Sequence, residues 1–151
     1  MGCYNGRMAK LTVNIDVDDL PRAERFYTRA VGLSIGRRFG PFATELLGGE
    51  TPIYLLVKKP GSAPFPGAET SRSFQRHWTP VHIDFIVEDI DQAVARAVEA
   101  GARQEGETQT HQWGRMALMA DPFGHGFCFL QFLGRGYDEV ITGSGGSASP
   151  V

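Results

Sequence analysis

Residues 81–102 read VHIDFIVEDIDQAVARAVEAGA. Val81, Ile83, Phe85 and Val87 alternate with His82, Asp84 and Ile86, the period of a strand with one apolar face. Asp89 follows at an N-cap position, with Gln92 three residues later in the manner of a capping box. Ile90, Ala93, Val94, Ala97 and Val98 then recur at helical spacing, leaving Asp91, Arg96 and Glu99 for solvent. Gly101 stops the helix, where glycine most easily takes positive φ. The stretch therefore predicts strand, cap, helix.

The same pattern occurs seventy residues earlier, with IDVDDL at 15–20 matching FIVEDI at 85–90. Leu11, Val13, Ile15 and Val17 alternate with Thr12, Asn14 and Asp16. Asp19 caps, Pro21 sits in the first turn, and Leu20, Ala23, Phe26, Tyr27, Ala30 and Val31 form an apolar stripe ending at Gly32. Strand-like pieces follow at 33–39, 42–47 and 52–58, separated by Gly40-Pro41 and Gly48-Gly49. In the second copy, strands are expected near 102–108, 116–120 and 127–132, with Asp121-Pro122-Phe123-Gly124 as a type I turn. Two β-α-β-β-β modules result, at 10–58 and 80–133, and the fold class is α+β. Helices cover one face of each sheet. The other face, carrying Thr12, Asn14, Asp16, His82 and Asp84, must curl around a cleft or pair with its neighbour.

Residues 59–79 are rich in proline, glycine and small polar side chains and read as a linker or long loop. Its end, Phe74-Gln75-Arg76-His77-Trp78, either folds over the cleft or packs its own aromatics. Residues 1–9 read as a loose leader, with Met8 a candidate start. Residues 134–151 read as a flexible tail whose last nine residues are disordered.

The 151 residues are 42% hydrophobic and 21% charged, enough for a real core, and the net charge is −2. Nothing in that charge argues for nucleic acid or an anionic membrane, and neither is expected as a partner. No apolar run is long enough to span a bilayer, and no signal-peptide core is present. Cys3 and Cys128 form neither a CxxC nor a disulfide framework. A cytoplasmic location is expected.

The paired modules, the V-x-D-L entry to a helix and the closing D-P-x-G turn resemble the vicinal oxygen chelate superfamily, over about residues 11–133. This superfamily groups glyoxalase I, bleomycin-resistance proteins, fosfomycin-resistance enzymes and extradiol dioxygenases. The resemblance implies a homodimer, with modules exchanged between chains in some arrangements, and metal ligands at the first and last strand of each module. Those positions fall on Thr12, Tyr54, His82 and Cys128, of which only His82 keeps the usual residue. A catalytic divalent ion normally needs about three protein ligands, so no cofactor is expected. A divalent metal on His82 and Cys128 is the weaker alternative, against a cleft histidine and a small buried cysteine.

His82 and Asp84 share a strand face, so the carboxylate can orient the imidazole for general acid–base work, or the pair can simply brace the cleft floor. Asp16 and Asn14 are ligand-binding candidates on the cleft face of the first module, Asp16 as counter-charge to a cation or merely as a solvated strand end. Trp78 and Trp113 can stack on a flat ligand, and Arg115 can hold a carboxylate or phosphate; hydrophobic cover is the other reading of Trp113. His125, inside the turn, reads as a matter of turn geometry. Cys128 lacks a neighbour that would activate it as a nucleophile.

Two functions compete. One is a bleomycin-resistance-type protein that binds a flat or cationic small molecule without a complete metal site. The other is a glyoxalase-like lyase or isomerase using His82 as metal ligand or base. A degenerate member with a structural or regulatory role is the third reading.

Overall fold

The computed structural model describes residues 9–142. The expected leader up to Met8 and the nine-residue end of the tail lie outside them. Two sheets are present. In the first module, β1 (Val13–Val17) lies parallel to β4 (Ile53–Val57), followed outward by β3 (Ala43–Leu47) and β2 (Ser34–Phe39). In the second, β5 (Ile83–Ile86) lies parallel to β9 (Gly126–Phe132), next to β8 (Gly114–Ala120), which pairs with both β6 (Arg103–Gln104) and β7 (Gln109–His111). The helices α1 (Leu20–Ala30) and α2 (Ile90–Glu99) each follow their module's first strand and pack on one another. The expected repeat is therefore present, though the two sheets are not closed into one.

Both helix starts follow the expected chemistry. Asp19 accepts from the Arg22 amide at 2.9 Å, and Asp89 from the Gln92 amide at 3.0 Å. Gln92 departs from a capping box: its side-chain amide donates to the Asp89 carboxylate instead of reaching back to the backbone. Leu20, Ala23, Phe26, Tyr27 and Ala30 of α1 and Ile90, Ala93 and Ala97 of α2 are buried in one core. Ile15, Val17, Leu46, Leu55, Phe127 and Phe129 close it from the two sheets.

Three regions differ from the expectation. The strand expected over 102–108 is only two residues long, because Gly106 takes φ 83° and turns the chain into β7. The segment 59–79 is a tied strap. The Gly61 amide donates to the Arg72 carbonyl, the Arg72 amide donates to the Ser62 carbonyl, and the Arg72 guanidinium reaches Asp16 Oδ2 at 2.7 Å and the Ala63 carbonyl at 2.6 Å. The tail begins in order: Gly136–Glu139 forms a 3-10 turn that lays Tyr137 against Trp113 and Phe132, ring centroids 5.1 and 4.8 Å apart. These three aromatic rings lie together on the sheet face away from the helices, and their contact orders a segment whose composition is that of a loop.

The modules are joined by a buried bond. Tyr27 Oη in α1 donates to Asp121 Oδ2 at 2.6 Å, across 94 residues of sequence. The other oxygen of Asp121 accepts from the Phe123 and His125 amides and so shapes the β8–β9 turn.

Candidate functional site

Strand parity builds the site. Ile83 and Phe85 of β5 turn to the core, which sends His82, Asp84 and Ile86 to the opposite face. In β9, Phe127 and Phe129 enter the core while Cys128, Leu130 and Phe132 take the opposite face. The register sets Asp84 directly across from Cys128. In the first module the matching pair is Asn14 and Tyr54.

Asp84 consequently lies between two partners. His82 Nε2 is 3.1 Å from Asp84 Oδ1, and the Cys128 thiol donates to the same carboxylate. Burial, helped by the Asp84 charge and this hydrogen bond, pushes the Cys128 thiol up to about 12. The sulfur is therefore a protonated, buried thiol and a poor nucleophile at neutral pH. Tyr137 overhangs the group, and its hydroxyl is shifted upward by burial, by Asp84 and by Cys128.

Two adjoining cavities meet at His82. One, of about 260 Å³, is lined by Trp78, Thr79, His82, Leu118 and Cys128, with the Arg76–Glu105 ion pair at its rim. The other, of about 310 Å³, lies between the facing edges of β1 and β5 and includes Asn14, Asp16, His77, His82 and His125. His82, Asp84, Cys128 and Trp78 thus gather at one place, with Asn14 and Asp16 next door. The Asp16 carboxylate is taken up by Arg72.

Trp113 and Arg115 lie elsewhere. Trp113 is 3% exposed and stacked on His111 at 5.2 Å beneath Tyr137, so hydrophobic cover is the reading its position matches. Arg115 has the parity of Ala117, which faces the helices, and it holds Asp91 of α2 with two hydrogen bonds of 2.8 and 2.9 Å.

Sequence reasoning names Asp84 as the partner of His82 but not as a third donor beside Cys128, and it passes over two contributors. Tyr137 was hidden in a polar tail. Glu45, on β3, is 6% exposed and carries Arg37 and Tyr54 on the cleft face of the first sheet. The side-chain hydrogen bond from Arg37, then the Arg37 amide, hold the Glu45 carboxyl down at about 2. This cluster also engages the Tyr54 hydroxyl, one of the positions at which the superfamily carries a ligand.

A family model described as a glyoxalase-like domain matches residues 12–130. The chain belongs to that family, within the vicinal oxygen chelate superfamily. This glyoxalase-like chain is 30% identical over 135 residues to the anthracycline biosynthesis protein DnrV of Streptomyces peucetius, covering 87% of the chain and 44% of that relative. It thus spans less than half of the relative's length. It is also 30% identical over 119 residues to an uncharacterized protein of Mycobacterium bovis, covering 76% of the chain and 78% of the relative. Among solved structures, the genomically encoded fosfomycin resistance protein FosX of Listeria monocytogenes matches with a TM-score of 0.66 at 15% identity, covering 89% of this chain and 98% of that one. A glyoxalase/bleomycin resistance protein/dioxygenase family enzyme of Burkholderia phytofirmans matches with a TM-score of 0.65 at 21% identity, covering 83% of this chain and 100% of that one. These structural likenesses concern the fold.

The superfamily implies a divalent metal, and the donors of the glyoxalase-like chain can be tested against one. His82, Asp84 and Cys128 offer an imidazole, a carboxylate and a sulfur within 4.8 Å of one another. Three such donors suit a borderline-soft ion of the zinc type better than magnesium or calcium, which favour all-oxygen shells. All three come from the second module. On the first, Tyr54 is bound to Arg37 and Glu45, so the four-position family set is not assembled. Loading the three-donor group would also require the Cys128 proton to leave.

Proposed function

We propose that this chain binds a small, flat organic molecule in the groove beside Trp78, His82 and Cys128, without the complete metal set of its superfamily. The carrying observation is the groove itself. A largely apolar wall of Trp78, Leu118 and Cys128 ends at His82, which Asp84 orients from behind, with the Arg76–Glu105 ion pair at the rim. Such a wall with few convergent polar groups is the usual make-up of a small-molecule site. Trp78 is 80% exposed, so its ring face is open to a ligand. A relative named for anthracycline biosynthesis supports a planar aromatic ligand. Preference for a cation has less support, because Asp16 is paired with Arg72 and Glu105 with Arg76.

Asn14 borders the adjoining cavity and completes its polar lining. We take the working form to be a cytoplasmic homodimer, supported by Ile86, Leu133 and Ile141, exposed apolar side chains that a partner copy would cover. No helix among the described residues is long and apolar enough to cross a membrane.

One observation favours a second reading, a glyoxalase-like lyase or isomerase: the three-donor group of His82, Asp84 and Cys128. There His82 would hold the metal or move a proton, with Asp84 fixing its tautomer.

Titration of the protein, purified without chelators, with a panel of planar aromatic compounds separates the two. Saturable quenching of tryptophan fluorescence, weakened by Trp78→Phe and unaffected by chelator, is expected. Absence of saturable quenching across the panel, with one equivalent of a divalent ion that is lost in His82→Ala, would replace the binding reading with the enzymatic one.

A further inference from the structure

The His77 and His125 rings meet away from the His82 group, with centroids 4.8 Å apart and planes at 84°. Their outer nitrogens are committed. His125 Nε2 lies 2.6 Å from the Asp16 carbonyl oxygen, and His77 Nδ1 lies 2.8 Å from the Gln75 carbonyl oxygen. A carbonyl only accepts, so each of these nitrogens must carry a hydrogen. In a neutral imidazole that leaves the other nitrogen with a bare lone pair. The remaining two nitrogens, His125 Nδ1 and His77 Nε2, face each other at 2.9 Å. Two bare lone pairs at hydrogen-bond distance repel. One further proton between them turns the contact into a charge-assisted hydrogen bond and gives the pair a single positive charge.

We infer that His77 and His125 share one proton, and that this proton clamps the strap onto the β8–β9 turn as a pH-sensitive latch on the groove.

The surroundings fit a latch. The backbone of the strap is docked at the same place: the His77 amide donates to the Gly124 carbonyl at 3.1 Å. Gly124 has φ 84°, and a Cβ there would collide with the Gln75 carbonyl, so strap and turn are in direct backbone contact. Phe74 meets the His125 ring edge to face at 6.4 Å. The next residues of the strap, Trp78 and Thr79, are walls of the groove. A change at His77 therefore reaches the ligand wall within one residue.

The charges around the pair are nearly balanced. Asp16 on β1 is paired with Arg72 of the strap. Arg76, beside His77, is paired with Glu105 next to β6. Asp121 in the turn accepts from the His125 amide and from Tyr27 of α1. His82 borders the same cavity from the β5 side. Asp121 and Asp16 favour the added proton, while Arg72 and Arg76 oppose it. With the shared proton in place the latch is closed. Without it the lone pairs face each other and the His77 ring swings away, taking Trp78 with it. The latch does not depend on what the groove binds.

The test uses the full chain with ¹⁵N-labelled histidine, at about pH 5.5 and about pH 8.5, on either side of the ordinary imidazole titration. Long-range ¹H–¹⁵N correlation should show His77 Nδ1 and His125 Nε2 protonated at both values, and the two facing nitrogens sharing a proton only at the lower. The protection factor of the His77 amide should fall by about tenfold at the higher pH, as expected for loss of one charge-assisted hydrogen bond. His125→Asn should abolish that pH dependence. Facing nitrogens that both remain unprotonated at the lower pH, or a protection factor that does not change, would overturn the latch. The wild-type spectra decide this even if the variant does not fold.

Discussion

Removing one oxygen from the core tests how the modules are held together. Tyr27 is 3% exposed and Asp121 6%, and their bond of 2.6 Å links α1 to the turn between β8 and β9. Tyr27→Phe keeps the ring and its edge-to-face contact with Phe26 at 4.9 Å. What disappears is the donor to a buried carboxylate oxygen. A hydrogen bond to a charged group contributes about 1.5–3 kcal/mol, and the orphaned acceptor adds its own desolvation cost. Asp121 Oδ1 keeps the Phe123 and His125 amides, so the carboxylate is not left wholly unpaired. The expected loss is therefore about 2 kcal/mol. With an unfolding entropy of about 2.1 cal/mol/K per residue, a body of this size should melt about 7 °C lower. Burial, with Asp121 beside it, raises the ionisation of Tyr27 far beyond the ordinary range of a phenol, so it stays a donor at any accessible pH. Urea unfolding of wild type, Tyr27→Phe, Asp121→Asn and the double variant forms a cycle whose coupling should be about 1–2 kcal/mol. A Tyr27→Phe change below about 0.5 kcal/mol would refute the assignment of this bond as the main polar tie between the modules.

Two further outcomes follow from charged and buried groups. Hydrogen bonds from Arg37 to Glu45 and from Arg76 to Glu105 hold both carboxyls down at about 2, against an ordinary value of 4.5. Their stabilisation is complete above the ordinary value and is lost as pH falls towards 2, so acid unfolding followed by circular dichroism should become shallower in Glu45→Gln and in Glu105→Gln. The thiol of Cys128, pushed up to about 12, should react with a disulfide reagent at neutral pH at least about 100-fold more slowly in the folded Cys3→Ser protein than in urea; equal rates would show that the sulfur is open to solvent.

The two strand–helix units were legible because periodicity and caps are local. Alternation alone placed His82 and Asp84 on one face, and Asp19 and Asp89 announced both helices. The meeting of Asp84 with Cys128 is a matter of register between strands more than forty residues apart, which alternation constrains only to a face. Arg115 is chemically suited to an anionic ligand, yet its parity with Ala117 puts it on the helix side, where it holds Asp91. The strap showed no order in its composition, since Arg72 and Arg76 fix it through bonds to carbonyls and carboxylates. Tyr137 is ordered by stacking on Trp113 and Phe132, a contact that a polar stretch rich in glycine gives no sign of. His125 looked like turn punctuation and instead reaches 109 residues back to Asp16.

The unpaired edges of β1 and β5 have a consequence for how the chain avoids its own copies. Each edge exposes backbone donors and acceptors that could template a strand from another molecule, the route by which sheet proteins polymerise. Here the two edges look at each other across a cavity already bordered by His77 and Thr79. An incoming strand would first have to evict the strap. Loosening residues 59–79 should therefore uncover these edges, and raised light scattering in strap variants would be the sign of it.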